Sequence, residues 1–344
     1  MPVVECSECS GTGAYGFRTS AGYGFVWQTR ANSSALGPNL YSLTVGPDFE
    51  GGEAKEISQT VMSDVDVAVA PNGFVATTCM PESKPEWIQL NGDLAVADGA
   101  KLVAPNAPCK STPSIVWTGE GYLTAFTDSR GLVVALLDEQ GAVVGETLLS
   151  ADLDEPVLVR FSKNGDRVLV VFGESNPHGG LYRVLDLRGA PSGDVQPLVK
   201  TDSWMRQFAI APSGDGWLVA SDSSNTNVNG VLLTELSRDG VVERQIRRSG
   251  GYPMFLALAP SAYNGFVLVS QTYSGGQYGE DDWQVALVEG AGERPYPQSE
   301  QRDTSKTWPI GIVTDPLRDL VIEERVLDDS KPTAAVVQEY GCLE

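Results

Sequence analysis

Three aromatic residues, Trp204, Tyr252 and Trp308, each stand eight positions ahead of a proline, namely Pro212, Pro260 and Pro316. Tyr15 falls near the equivalent place ahead of an earlier turn. Flat aromatic faces repeated at one position suit stacking on sugar rings, peptide side chains or cations. They equally suit packing between neighbouring sheets, and the spacing alone leaves both readings open. Polar residues recur where successive apolar runs end: Arg30, Asp128, Arg130, Glu174, Asp222, Gln271, Tyr273, Glu323 and Arg325. The candidate ligand-binding set is therefore Tyr15, Trp204, Tyr252, Trp308, Arg30, Asp128, Arg130, Glu174, Asp222, Tyr273 and Arg325.

Catalytic signatures are sparse, and no residue is assigned a catalytic role. The single histidine, His178, lies in Asn176-Pro177-His178-Gly179-Gly180, so a Ser-His-Asp arrangement would depend wholly on that residue. No GxSxG elbow, HExxH pair or phosphate-cradling glycine loop occurs. Two carboxylates flanking a glycosidic bond would suffice for a hydrolase, but 45 acidic residues offer no basis for choosing a pair. Glu280-Asp281-Asp282 could hold Ca²⁺, yet it lacks the alternating oxygen spacing of a dedicated loop and reads better as a solvated turn. No cofactor or metal site is expected.

The elements that must position these residues are short strands. Seven segments share one grammar, an apolar run, a turn with Gly or Pro, and a second apolar run opened by a bulky residue. The bulky markers are Phe25, Phe74, Tyr122, Val168, Trp217, Phe266 and Leu320, spaced about 46–54 residues apart. Each period accommodates four strands, as in Ser114–Thr118, Tyr122–Thr127, Leu132–Leu137 and Val144–Leu149. Four strands per period is the signature of a propeller blade, a sheet too small to bury its own faces. A β-helical solenoid would need a much shorter period, and a pair of sandwiches would not give seven equal units. The expectation is an all-β, seven-bladed propeller with four-stranded blades, one domain over residues 1–344. The last unit lacks a fourth strand, and Pro2–Cys6 is expected to supply it and close the ring.

Five cysteines, Cys6, Cys9, Cys79, Cys109 and Cys342, have no paired CxxC layout. In a propeller the turn after a second strand and the link to the next blade share one face. Cys79 and Cys109 are thus expected to form a disulfide, and Cys342 to pair with Cys6 or Cys9. Disulfides imply an extracytoplasmic setting, periplasmic, cell-surface or secreted. Met1-Pro2 leads straight into Val3, as in a mature domain given a start codon.

The net charge of −21 repels phosphate backbones, so nucleic acid and anionic membranes are poor partners. No apolar run is long enough to span a bilayer. The seven hairpins make the chain resemble the bacterial secreted or periplasmic seven-bladed propellers over essentially its whole length. The Trp-Asp and Gly-His signatures of WD40 repeats are missing, and Pro212-Ser213-Gly214-Asp215-Gly216-Trp217 resembles a sialidase-type aspartate box only in degenerate form. The resemblance implies a ligand face around the channel mouth, where the inter-blade links gather. The expected function is non-enzymatic binding of a protein, peptide or glycan by a monomer. A carboxylate-dependent glycoside hydrolase or lyase is the alternative.

Overall fold

The computed structural model describes residues 3–4, 11–29, 39–50, 52, 54–58, 65–71, 73–80, 84–97, 101–102, 114–151, 156–174, 179–198, 207–222, 230–249, 252–262, 264–273, 281–289, 292–295, 307–315, 317–326 and 333–340. A short strand, β1, spans Val3–Val4. Repeat 1 holds β2 (Gly11–Thr19), β3 (Gly22–Thr29), β4 (Leu40–Val45) and β5 (Lys55–Ser58). Repeat 2 holds β6 (Asp66–Ala70), β7 (Gly73–Met80), β8 (Lys84–Leu90) and β9 (Lys101–Leu102). Repeat 3 holds β10 (Ser114–Trp117), β11 (Tyr122–Asp128), β12 (Gly131–Leu137) and β13 (Val143–Ser150). Repeat 4 holds β14 (Pro156–Asn164), β15 (Arg167–Glu174), β16 (Gly180–Asp186) and β17 (Pro191–Pro197). Repeat 5 holds β18 (Phe208–Ser213), β19 (Gly216–Asp222), β20 (Gly230–Leu236) and β21 (Val242–Ser249). Repeat 6 holds β22 (Tyr252–Pro260), β23 (Phe266–Tyr273), β24 (Asp281–Glu289) and β25 (Gly292–Pro295). Repeat 7 holds β26 (Thr307–Thr314), β27 (Asp319–Val326) and β28 (Thr333–Tyr340).

Repeats 2 to 6 each form a four-stranded antiparallel meander with the first strand innermost. The second strands read as unbroken apolar runs because both of their faces are covered. Every residue of β19 is buried, with Trp217 and Val219 packed towards repeat 4 while Leu218 and Ala220 pack towards repeat 6. Like clusters fill the gaps between successive repeats all the way round.

The junction of the chain ends departs from this plan. Repeats 7 and 1 form one eight-stranded sheet in the order β1-β28-β27-β26-β2-β3-β4-β5, joined by parallel pairing of the inner strands β26 and β2. Seven sequence repeats therefore build six blades. This corrects the expectation of seven separate blades whose last member is completed by an N-terminal strand. The two-residue β1 lies at the rim of the joint sheet, on Val336 and Ala335, and the seam that unites the ends is β2–β26.

Glycine is the physical reason. Ala14 pairs with Gly311 and Gly16 with Val313. A Cβ on Gly311 would stand 2.1 Å from the Ala14 carbonyl oxygen, and one on Gly16 would stand 2.6 Å from Val313 Cγ2. At these two positions the approach of the strands leaves no room for a side chain. Tyr23, Phe25, Trp27, Leu43 and Val45 share a cluster with Val313, Leu320, Ile322 and Val337. Strands lie about 4.8 Å apart within a sheet, so this contact requires the joint sheet to fold back at its seam.

The face carrying the short turns is fastened from repeat to repeat. Asn164 Nδ2 donates to the carbonyls of Gly214 and Gly216, and Trp217 Nε1 donates to the Ser162 carbonyl. Asp319 accepts from Ser261 Oγ at 2.6 Å and the Ala262 amide at 2.8 Å. Asp315, four residues earlier on the same turn, accepts from Arg18 and Tyr23 of repeat 1.

A second set of latches sits in the turns between third and fourth strands. Asp138 Oδ1 accepts the amides of Gln140 and Ala142, and Asp186 Oδ1 those of Arg188 and Ala190. Asn91 Oδ1 does the same for Asp93 and Ala95. Each turn has a left-handed residue three positions on, Gly141 at φ 78, Gly189 at φ 81, and Leu94 at φ 55. These tips touch the preceding repeat: Gly141 abuts the Trp87 ring, and Leu94 is fully buried against repeat 1. Ser42 Oγ donates to the Leu94 carbonyl, and in the same way Tyr182 donates to that of Gly240.

Candidate functional site

First strands start, and second strands end, on the opposite face, where the links between repeats also run. A layer of buried polar side chains lies at that end of the channel. Asp66, the first residue of β6, is 7% exposed. Its Oδ2 accepts from Ser114 Oγ at 2.6 Å and the Ile115 amide at 3.0 Å, and Oδ1 accepts its neighbour Val67's amide at 2.9 Å. Thr124 Oγ1 in turn donates to the Ser114 carbonyl. One carboxylate thus ties the inner strand of repeat 2 to that of repeat 3. Its lone pairs are committed to three donors, which suits a scaffold better than a general base.

Glu86, on β8, is also buried, and Ser58 Oγ of repeat 1 lies 3.4 Å from its Oε2. Burial holds this carboxyl above its ordinary range, with the Ser58 hydrogen bond only partly opposing it. In repeat 5 Asp222 is 1% exposed and its amide donates to the Gln207 carbonyl, which joins the end of β19 to the entry of β18. The adjacent Ser221 hydroxyl is fully buried without a hydrogen-bond partner among the described residues. Glu323, on β27, is buried as well.

Asp128 and Arg130 are brought together, but by one another. Arg130 donates through Nε and Nη2 to Asp128 Oδ2 at 2.9 and 2.6 Å, and through Nη2 to Glu146 at 2.8 Å. The hydrogen bonds it donates to Asp128 and Glu146 raise the guanidinium, while those that Asp128 accepts from Arg130 outweigh desolvation and lower Asp128. Arg130 and Glu146 are solvent-exposed and Asp128 is half-buried, and together they fasten the Asp128–Gly131 turn.

Tyr15 is half-buried on β2 against the cluster shared with repeat 2. The seam sets it opposite Ile312, four residues further along β26 than Trp308. Tyr252 opens β22 and Trp308 is the second residue of β26, both at the linker-face end of inner strands. Glu174, Tyr273 and Arg325 lie near or at the ends of β15, β23 and β27. Cys79 lies on β7. Arg30, Trp204, His178, Cys6, Cys9, Cys109 and Cys342 are outside the described residues, so the expected disulfides are too.

Of this polar layer the sequence marks Asp222 and Glu323, whereas Asp66, Ser114 and Glu86 went unread. Asp66 and Ser114 each head an apolar inner run at the same distance from their hairpin, and that alignment was the available signal.

The fold defines a β-propeller. A chain from a crystal structure of a mitotic checkpoint complex is similar at 11% identity and TM-score 0.54, over 97% of this chain and 92% of that one. The WD40 domain of Toxoplasma gondii coronin is similar at 9% identity and TM-score 0.60, over 96% and 81%. The propeller domain of the trilobed protease from Pyrococcus furiosus, of open velcro topology, is similar at 10% identity and TM-score 0.55, over 95% and 97%. These likenesses show the fold alone. No protein-family model and no curated protein matches the sequence.

Proposed function

We propose that the protein is a binding propeller that takes up a protein, peptide or glycan on its linker face, as a monomer outside the cytoplasm. The observation that carries this reading is the contrast between the two faces. On one, turns such as 71–72, 165–166 and 214–215 are minimal and fastened to their neighbours. On the other, connections such as 198–207, 223–229, 274–280 and 296–306 are long. Their sequences, among them Ser223-Ser224-Asn225-Thr226-Asn227-Val228-Asn229 and Ser274-Gly275-Gly276-Gln277-Tyr278, are rich in Ser, Asn, Gly and aromatics. Long connections of that composition on a rigid ring are the usual vehicle of adaptable recognition. The occurrence of a similar chain in a checkpoint complex is consistent with an interaction role.

The test is a glycan array and a peptide panel probed with the wild-type chain and with Trp204→Ala, Tyr252→Ala and Trp308→Ala. The reading expects a ligand whose binding falls at least about tenfold in these variants, with unchanged melting. Absence of any ligand, or a ligand indifferent to all three substitutions, overturns it.

A further inference from the structure

We propose a second interaction surface, the outer edge of repeat 5, where β21 accepts an extended acidic segment by strand addition. β21 is the outermost strand of its sheet. Outer strands ordinarily carry devices that discourage further pairing. β17 has Pro191, Pro197 and a register shift, β13 has a shift at each end of its ladder, and β25 is four residues long. β21 contains neither Pro nor Gly, and its single register shift lies at its start, opposite Glu235 and Leu236, beyond which Arg244 to Ser249 pair without a break with Gly230 to Glu235. From Arg244 onward it is therefore a regular template whose outer edge is unpaired within its sheet.

Charge selects the occupant. The sequence Val242-Glu243-Arg244-Gln245-Ile246-Arg247-Arg248-Ser249 gathers three arginines in a protein of net charge −21. Arg244 and Arg247 are exposed and form no ion pair among the described residues. Being three residues apart on a strand, they project from opposite faces of the sheet. A segment laid along the edge would present its alternating side chains to both. Carboxylates match the planar guanidinium fork. The same segment would be repelled by the acidic surface elsewhere, and this confines it to β21. Val241 and Val242, 63% and 39% exposed, offer an apolar contact where the strand begins.

The probe is a fluorescein-labelled decapeptide of alternating Glu and Val, followed by fluorescence anisotropy. Saturable binding is expected, weakened at least about tenfold by the pair Arg244→Glu and Arg247→Glu. A comparable loss is expected when alternate peptide amides are N-methylated, since methylation keeps the charge and removes the ladder hydrogen bonds. Arg244→Gln with Arg247→Gln gives the same answer should charge reversal impair folding. Failure of the peptide to bind overturns the proposal, as does equal binding of the N-methylated peptide. Preference of the same arginines for a sulfated hexasaccharide over the peptide would also overturn it. Because β21 stands at the outer rim, none of these outcomes depends on the linker face.

Discussion

Asp66 and Ser114 are 48 residues apart in sequence and meet side chain to side chain at 2.6 Å, each heading an inner strand of the ring. Removing the carboxylate orphans a buried hydroxyl and the Ile115 amide together. Asp66→Ala is expected to cost about 2–3 kcal/mol, read as a lower midpoint in urea. Ser114→Ala leaves the Ile115 amide bonded and should cost less.

The closing turn of repeat 7 makes stability pH-dependent at both extremes. Burial pushes the Asp315 carboxyl upward, but hydrogen bonds from Tyr23, the Leu317 amide and Arg18 outweigh it and leave the group below its ordinary 3.8. A depressed carboxylate contributes stability above its unfolded value, and that contribution fades as the pH falls below 3.8. Tyr23, pushed up to about 12 by burial and by Asp315, contributes stability up to its ordinary 10.0 and loses it between there and 12. Tyr23→Phe should flatten the alkaline limb of a melting-temperature profile, and Asp315→Asn should lessen the acid-limb loss.

The seam rests on Gly311. Gly311→Val should force β2 and β26 apart and cost about 2–3 kcal/mol. Protection of the Ala14 to Phe17 amides against hydrogen exchange should fall with it, while β10 to β13 remain protected. Unchanged protection along β2 would show that glycine is not what permits the pairing.

Two turn positions with the same left-handed backbone should respond in opposite senses to a change in side-chain size. At Gly141 a new Cβ would lie 2.9 Å from the Trp87 ring, so Gly141→Ala should cost about 1–3 kcal/mol. At Leu94 the side chain itself is the plug. Leu94→Gly forfeits about 2–5 kcal/mol of buried contact and relieves only about 1 kcal/mol of left-handed strain, for a net loss in thermal stability.

Glu86→Gln should stabilise the protein at neutral pH, because burial raises this carboxyl above 4.5 and the ionised form is held at a cost. A raised carboxyl contributes its stability below 4.5 and loses it as the pH climbs through the folded value. The gain from the amide should accordingly vanish in acid, and a gain that persists below pH 4.5 would contradict this account.

The hairpins were legible because their signal is local. Phe25, Phe74, Tyr122, Val168, Trp217 and Leu320 are all buried near the start of a second strand, where the repeat pattern set them. The merging of repeats 7 and 1 was not legible in the same way. It depends on a parallel pairing between the two ends of the chain, whose only trace is small residues, Ala14, Gly16 and Gly311, where other inner strands carry larger ones. The Asp66–Ser114 link was hidden for a related reason. Asp66 is meaningful only beside Ser114, and strand periodicity cannot report which polar group finds a donor across a blade gap. The aromatic set was chosen by alignment on prolines, and register puts Tyr15 deeper along its strand than Trp308.

The β2–β26 seam also has a consequence for how the molecule is made. Its partners lie far apart in sequence, as the 297-residue span between Arg18 and Asp315 shows. During synthesis β2 must wait, one edge bare, until the intervening repeats and β26 have been translated. A bare edge held that long invites pairing with another nascent chain. The glycines of Gly11-Thr12-Gly13-Ala14-Tyr15-Gly16 that admit β26 at the end also make the waiting strand a poor template for strangers.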